Sequence, residues 1–125
     1  MSSELDAKLQ LKSDQSLLVL NVPTQHAPGL DDINLTNATP ASAVLVFITR
    51  LDETPTLINQ AITSLRPNGL LWVAYPKVGS GIETDVNRDR LAQAVEATGW
   101  RPVRIVAMDS IWSALRFRPA DQVGK

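Results

Sequence analysis

The segment AVLVFITRLDETPTLINQAITSLRPNGLLWVAYPK, residues 43–77, decides the fold. It opens on an unbroken apolar run, residues 43–48, which has strand length but lacks the alternation of a half-exposed strand. Such a run is expected where a parallel sheet is covered on both faces. Asp52 or Thr54 then offers a helix cap, and Pro55 falls in the first turn, where its missing N–H is no loss. Leu57, Ile58, Ala61, Ile62 and Leu65 recur at three- and four-residue spacing, the apolar stripe of one helix. Arg66-Pro67-Asn68-Gly69 stops that helix and reverses the chain. Residues 70–75 are a second apolar strand, ending at Pro76-Lys77. Strand, helix and strand make one βαβ unit.

Working outward toward the N-terminus, Leu17-Leu18-Val19-Leu20-Asn21-Val22 is another buried strand, ended by Pro23. The turn Lys12-Ser13-Asp14-Gln15 precedes it. Residues 1–12 read as a short helix with Ser2 or Ser3 as cap and Leu5 and Leu9 four apart. Residues 23–42 are the least regular part, a short helix over 30–35 or a crossing loop. Toward the C-terminus, the flexible Gly79-Ser80-Gly81 leads to Thr84 or Asp85 as cap of a helix over 86–98. That helix buries Leu91, Ala94 and Val95 and ends at Gly99. Two last strands, 103–108 and 112–117, are separated only by Asp109-Ser110-Ile111, a spacing that demands an antiparallel hairpin. Ser113, Leu115 and Phe117 face one side of the final strand; Trp112, Ala114, Arg116 and Arg118 face the other. The expected fold class is α/β: a three-layer sheet of about five strands, three parallel and two in a C-terminal antiparallel hairpin, in one domain over residues 1–125.

A chain of 125 residues with 44% hydrophobic and 20% charged residues has the length and composition of a globular domain. It holds no cysteine and a single histidine, His26, which excludes disulfides, thiol catalysis and a histidine-rich metal site within the chain. No apolar run reaches the roughly 18–20 residues of a membrane span. The N-terminus lacks the basic start and apolar core of a signal peptide. A cytoplasmic, bacterial-type protein is the simplest expectation. Net charge is −1, which argues against a dedicated nucleic-acid binder, but it is unevenly distributed. Residues 1–65 carry three bases against seven acids, and residues 66–125 nine bases against six acids. Arg88, Arg90, Arg101, Arg104, Arg116 and Arg118 supply most of that excess. A solvated, mixed-charge surface accounts for an asymmetry of this size.

The order of elements resembles the class I methyltransferase fold. In that superfold the sheet ends in an antiparallel strand formed by a hairpin, and an "L-K/R-P-G-G" piece often precedes an apolar strand. Here that piece is Leu65-Arg66-Pro67-Asn68-Gly69, followed by Leu70-Leu71-Trp72-Val73. The lead-in Leu9 to Leu20 is similar to the approach to a first methyltransferase strand. More closely, Trp72-Val73-Ala74-Tyr75-Pro76-Lys77, the run Gly81 to Asp89, and the ending Trp112-Ser113-Ala114-Leu115-Arg116-Phe117-Arg118 resemble a family of small bacterial proteins classed as a domain of unknown function. That resemblance implies a compact, truncated methyltransferase-like domain and supplies no substrate, cofactor or catalytic residue.

The chain departs from the methyltransferase pattern where a cofactor would sit. A glycine-rich turn after the first strand lets backbone approach a ligand at a helix N-terminus. Here Asn21-Val22-Pro23-Thr24-Gln25-His26 follows, with no glycine before Gly29, and Pro23 removes a donor. About twenty residues separate the first two strands, too few for further strand–helix pairs at roughly 30 residues each. An acidic residue at the end of a second strand, to hold ribose hydroxyls, therefore has no place.

Among candidate functional residues, Lys77 and the loop Gly79, Ser80 and Gly81 stand at the C-terminal end of a parallel strand, where open α/β sheets bind ligands. The loop feeds a helix start that favours anions, and Arg88 emerges beside it. Together they define a candidate phosphate or carboxylate site, though the P-loop order is absent. His26 with Asp31 and Asp32 is the only available imidazole arrangement, and no nucleophile–base pair accompanies it. Trp72 belongs in the core. Trp112 shares a strand face with Arg116 and Arg118, a conceivable partner surface.

The residues favour a non-catalytic binding or assembly domain with no catalytic residue, no metal and no cofactor. The competing reading is a small enzyme or ligand-binding protein with its anion site at Lys77, Gly79, Ser80, Gly81 and Arg88. A small anionic ligand, or a second copy of the chain through the terminal hairpin, is the expected partner. Nucleic acid and membrane are not expected.

Overall fold

Ala41–Phe47, with Ser42 its only polar residue, is the strand around which the sheet is laid; five of its seven residues from Ala43 onward are completely or almost completely buried. A computed structural model describes residues 7–12, 14–24, 27–30 and 33–122. Among these residues the strands are β1 (Leu17–Leu20), β2 (Ala41–Phe47), β3 (Leu65–Pro76), β4 (Trp100–Ala107) and β5 (Trp112–Pro119). The helices are α1 (Thr54–Thr63), entered through a 3-10 turn at Leu51–Glu53, and α2 (Arg88–Glu96).

The sheet order is β1-β2-β3-β5-β4. β1, β2 and β3 run parallel, Leu17 opposite Ala43 and Val44 opposite Leu71. β5 is antiparallel to both β3 and β4, with Ala74 opposite Ala114 and Ile105 opposite Leu115. Three parallel strands with a C-terminal hairpin are therefore present as the periodicity predicts. The terminal hairpin enters as a unit, its second strand against β3 and its first at the sheet edge.

Period-2 alternation divides the apolar side chains into two layers. On one face Val44, Val46, Leu71, Val73, Leu115 and Phe117 meet Ile58 and Ala61 of α1 and Leu91 and Val95 of α2. Full burial of each such side chain contributes roughly 1.5–3 kcal/mol. On the other face Leu45, Phe47, Trp72, Ala74, Trp112 and Ala114 form a second buried layer. Among the described residues, Leu9, Leu11, Leu30 and Ile33 pack against it as the third layer. Residues 8–10 are fastened across three strands. Trp72 Nε1–H donates to Leu9 O (3.0 Å), Arg116 Nη1–H to Gln10 Oε1 (2.7 Å) and Lys8 Nζ–H to Ala107 O (2.9 Å).

Local structure corrects several expectations. Ala7 and Lys8 are helical and the chain turns at Gln10 (φ 61°); the rest of the first helix, with Ser2 and Ser3, lies outside the described residues. No helix forms around Ile33 to Leu35. Leu17 N–H donates to Asn34 O (2.8 Å) and Thr36 N–H to Leu17 O (2.9 Å), so extended backbone satisfies the outer edge of β1. Neither Asp52 nor Thr54 caps α1, whose entry has no local side-chain cap. Asp85 serves that end instead, and α2 starts two residues later than predicted because Asn87 Oδ1, not Thr84 or Asp85, accepts from Arg90 N–H (2.9 Å). Gly99 ends the following turn with φ 94°, as predicted. In α2, Leu91 and Val95 are buried and Ala94 only partly. Both hairpin strands are longer than predicted, because pairing continues from Ala107–Ser113 to Trp100–Pro119.

Candidate functional site

The C-terminal ends of β1, β2 and β3 lie along one edge of the sheet, the edge where open α/β folds bind ligands. Two depressions occur there. The larger, about 520 Å³, lies beyond β1 and β2. Phe47 and Trp112 reach its floor, packed edge to face with ring centres 5.1 Å apart and planes at 90°. Val22, Pro23 and Ile82 form apolar walls; Arg50, Glu53 and Glu83 stand at the charged rim. Arg50 pairs with Asp52 (3.4 Å), and that hydrogen bond and charge raise the guanidinium pKa further.

Backbone donors and acceptors at this edge are engaged by the chain's own side chains. Asn21, in the left-handed region at φ 56°, donates from Nδ2 to Phe47 O (2.7 Å) and closes the end of β2. Asp85 Oδ1 accepts from Leu51 N–H (2.8 Å) at the entry to α1. Thr84 Oγ1–H donates to Thr49 O (2.6 Å) and, in turn, accepts from Val86 N–H (3.0 Å). Asn87 caps α2, and Asp109 Oδ1 accepts from both Ile111 N–H (2.8 Å) and Trp112 N–H (2.7 Å). A helix start attracts an anion because its first N–H groups have no intrahelical partner. Here carboxylate and amide oxygens of the chain occupy that role at both helices.

The smaller depression, about 290 Å³, lies beyond β3 and is bounded by Tyr75, Lys77, Asn87, Arg88 and Ser113. Lys77 and Arg88, distant in sequence, are thus brought together. Arg88 is also paired with the adjacent Asp89 (3.3 Å), both side chains largely exposed. Tyr75 lies opposite Ser113 on the sheet; burial raises its phenol pKa, against the opposing effects of Ser113 and Arg88. Of the glycine loop, Gly81 (φ 90°) borders the larger depression, and Gly79 (φ 79°) and Ser80 line neither. The loop therefore does not gather with Lys77 and Arg88 around one cavity. Its backbone turns away after Ser80 N–H donates to Lys77 O (3.1 Å), and Thr84 and Asp85 draw it across the end of β2.

Trp72 is completely buried, as expected. Trp112 is also completely buried, so it cannot present a partner surface; its ring is held against Phe47. His26, Asp31 and Asp32 lie outside the described residues. Among the described residues no three His, Cys, Asp or Glu side chains are grouped to hold a metal, and no helix is long and apolar enough to cross a membrane. Sequence reading missed Asn21 and the destination of Asp85. An asparagine directly after a buried strand is the signal available for the first, since Asn tolerates the left-handed region; no local signal marks the second.

The same arrangement of strands and helices occurs in solved methyltransferase structures. The chain is similar to the ribosomal protein L11 methylase of Lactobacillus delbrueckii subsp. bulgaricus, with 9% identity, TM-score 0.56, and coverage of 92% of this chain and 76% of that one. It is similar to the Methanococcus jannaschii fibrillarin pre-rRNA processing protein, with 15% identity, TM-score 0.56, and coverage of 87% and 68%. A third similar structure is the DhpI–SAH complex, with 14% identity, TM-score 0.51, and coverage of 86% and 78%. No protein-family model matches the sequence, and no curated protein matches it. At these identities the likeness is one of fold: a methyltransferase-like α/β sheet.

That fold implies S-adenosylmethionine, and the described residues do not fit it. A doubly wound sheet binds its nucleotide where the strand order reverses, between strands diverging on either side of the first. Here β1 is the last strand of the described sheet, and its outer edge is met by residues 34–36 rather than by a strand ending in a ribose-binding acid. Glu53 and Glu83, the carboxylates at the larger depression, come from the opposite side, after β2 and before α2.

Proposed function

We propose that this chain is a non-catalytic binding or assembly domain that uses a methyltransferase-like sheet as a scaffold. The observation that carries this reading is the internal capping of the strand-end edge. Asp85, Asn87 and Asp109 accept from backbone N–H groups that a phosphate or a reacting oxyanion would need, and Asn21 Nδ2–H covers the Phe47 carbonyl. Calorimetry and thermal denaturation with millimolar S-adenosylmethionine and S-adenosylhomocysteine test it. The expected result is no saturable heat and no change in Tm. A ligand at about 100 times its Kd would add roughly 2.7 kcal/mol, a rise of several degrees that would overturn the proposal.

One observation favours a second reading. Lys77 and Arg88 border the same depression, next to the start of α2. In this reading they hold a phosphate or carboxylate, and Gly79, Ser80 and Gly81 allow the approach. Amide shifts on phosphate titration should then centre on residues 77–88 and vanish in the Lys77→Ala, Arg88→Ala double variant. Shifts that survive the double variant would dismiss this site.

A further inference from the structure

The depression beyond β3 is lined mainly by hydrogen-bond donors. Lys77 borders it from the end of β3, and Asn87 and Arg88 from the start of α2, with Tyr75 and Ser113 beside them. Tyr75 is directly opposite Ser113 in the β3–β5 ladder, and directly opposed residues share a face. That face is the helix side, since Tyr75 belongs to the layer that holds Leu91 and Val95 of α2. Two hydroxyls from the sheet therefore meet two side chains from the helix start. Tyr75 is only 6% exposed although it borders the cavity, so the core fixes the position of its ring.

Most of these donors have capacity to spare. Lys77 Nζ has no ion pair among the described residues. Arg88 donates to Asp89 from Nε and Nη2 (3.3 Å each), both bonds ending on Oδ1, which leaves Nη1. Asn87 uses Oδ1 to cap α2, and its Nδ2 has no partner among the described residues. Because that cap already accepts from Arg90 N–H, side chains rather than the helix N–H groups make this site. Burial raises the phenol pKa of Tyr75, which keeps its hydroxyl a neutral donor. Asp89 is the one carboxylate at this rim among the described residues, and it is the one paired with Arg88.

We propose that this depression binds a small phosphate monoester, its phosphoryl oxygens held by Lys77, Arg88 and the hydroxyls of Tyr75 and Ser113. The proposal rests on the anion site of the second reading and names its ligand. A lining of donors suits a group that only accepts. A phosphate monoester carries about −1.5 to −2 charge at neutral pH and three strong acceptor oxygens, which two cations and two hydroxyls can serve together. A carboxylate has one charge and two oxygens, and would leave donors of this lining unused. The volume of about 290 Å³ is roughly that of ten waters, room for a phosphate with a short carbon chain. Val78, 95% exposed, stands at the same rim and would lie against that chain, an apolar contact that free phosphate lacks.

The test is an amide chemical-shift titration of the full chain with glycerol phosphate, inorganic phosphate and acetate. Glycerol phosphate should give saturable shifts centred on residues 75–78, 87–89 and 113. Inorganic phosphate should bind at the same residues less tightly, and acetate at least about tenfold less tightly than the ester. Tyr75→Phe keeps the ring and removes one hydrogen bond to a charged group, so affinity for glycerol phosphate should fall about tenfold or more. Ser113→Ala should weaken it in the same direction. Parent affinity in either hydroxyl variant, or acetate binding as tightly as the ester, would overturn the proposal. If the Lys77→Ala, Arg88→Ala double variant then still abolishes binding, the anion site itself stands. Inorganic phosphate binding as tightly as its ester, or a phosphoserine peptide binding more tightly, would likewise overturn the small-ester ligand. Shifts that survive the double variant, or no shifts with any of the three anions, dismiss both the ligand and the site.

Discussion

Replacing Asp85 by alanine isolates the contact that joins the two halves of the strand-end edge. Its carboxylate accepts from Leu51 N–H (2.8 Å) across 34 residues of chain, at the entry to α1 where no local side chain caps. Loss of a capping oxygen costs typically ~1 kcal/mol. Loss of a negative charge at a helix start adds about 0.3–1 kcal/mol, the lower end applying to an exposed residue. The expected destabilisation is therefore about 1–1.5 kcal/mol, or about 3–9 °C in Tm for a chain between the usual small and medium sizes. Thr84 still ties the loop to Thr49 O (2.6 Å), so the loop should stay in place and the urea m-value should not change. Asp85→Asn keeps an acceptor and loses only the charge, so it should cost about a third as much. Sulfate should stabilise the alanine variant more than the parent, because Leu51 N–H is then available to an external anion. Equal loss in both variants, no loss in the alanine variant, or an identical response to sulfate would refute this account.

Two further outcomes follow from other parts of the structure. Gly69→Ala would place a Cβ 2.6 Å from Leu65 Cδ1 and 2.8 Å from Arg66 O, the second a backbone atom that cannot rotate away. A loss of about 1–3 kcal/mol in urea denaturation is expected, and an unchanged midpoint would show that the start of β3 shifts freely. Tyr75 sets a pH dependence: burial raises its folded pKa, so the unfolded chain releases the phenol proton first as pH rises past about 10. The unfolded state then binds fewer protons than the native state, and stability falls with rising pH. This contribution is complete below about pH 10 and is lost as pH climbs toward the folded value. The stability difference between the parent and Tyr75→Phe should shift in that direction between pH 8 and 11; parallel profiles would exclude Tyr75 as the source.

Much of the fold was legible because burial imposes period on sequence. The apolar runs at Leu17, Val44 and Leu71 became parallel strands, and the short interval between Met108 and Trp112 left room only for a hairpin. The candidate site was less legible because it depends on which of several similar groups wins a contact. Asp52 and Asp85 both flank helix starts, and local chemistry suits either as a cap. The path of the loop gives Leu51 N–H to Asp85, whereas Asp52 lies against Arg50. The side of the sheet taken by Arg101 and Arg104 depended on a single displaced residue. Alternation alone sends Arg101 and Arg104 to opposite faces, and only the irregular register beside Pro102 unites them. Lys77 and Arg88 border one depression, whereas Gly81, between them in sequence, borders the other, which no local pattern announces.

The fastening of residues 8–10 to Trp72, Ala107 and Arg116 spans 63, 99 and 106 positions of sequence. Each closes a long loop and carries the entropy of that closure, so all three are expected to form after the main barrier on the folding route. Weakening such late contacts leaves the refolding rate nearly constant and appears as faster unfolding. Residues 8–10 are thus expected to act as a latch on the lifetime of the native state.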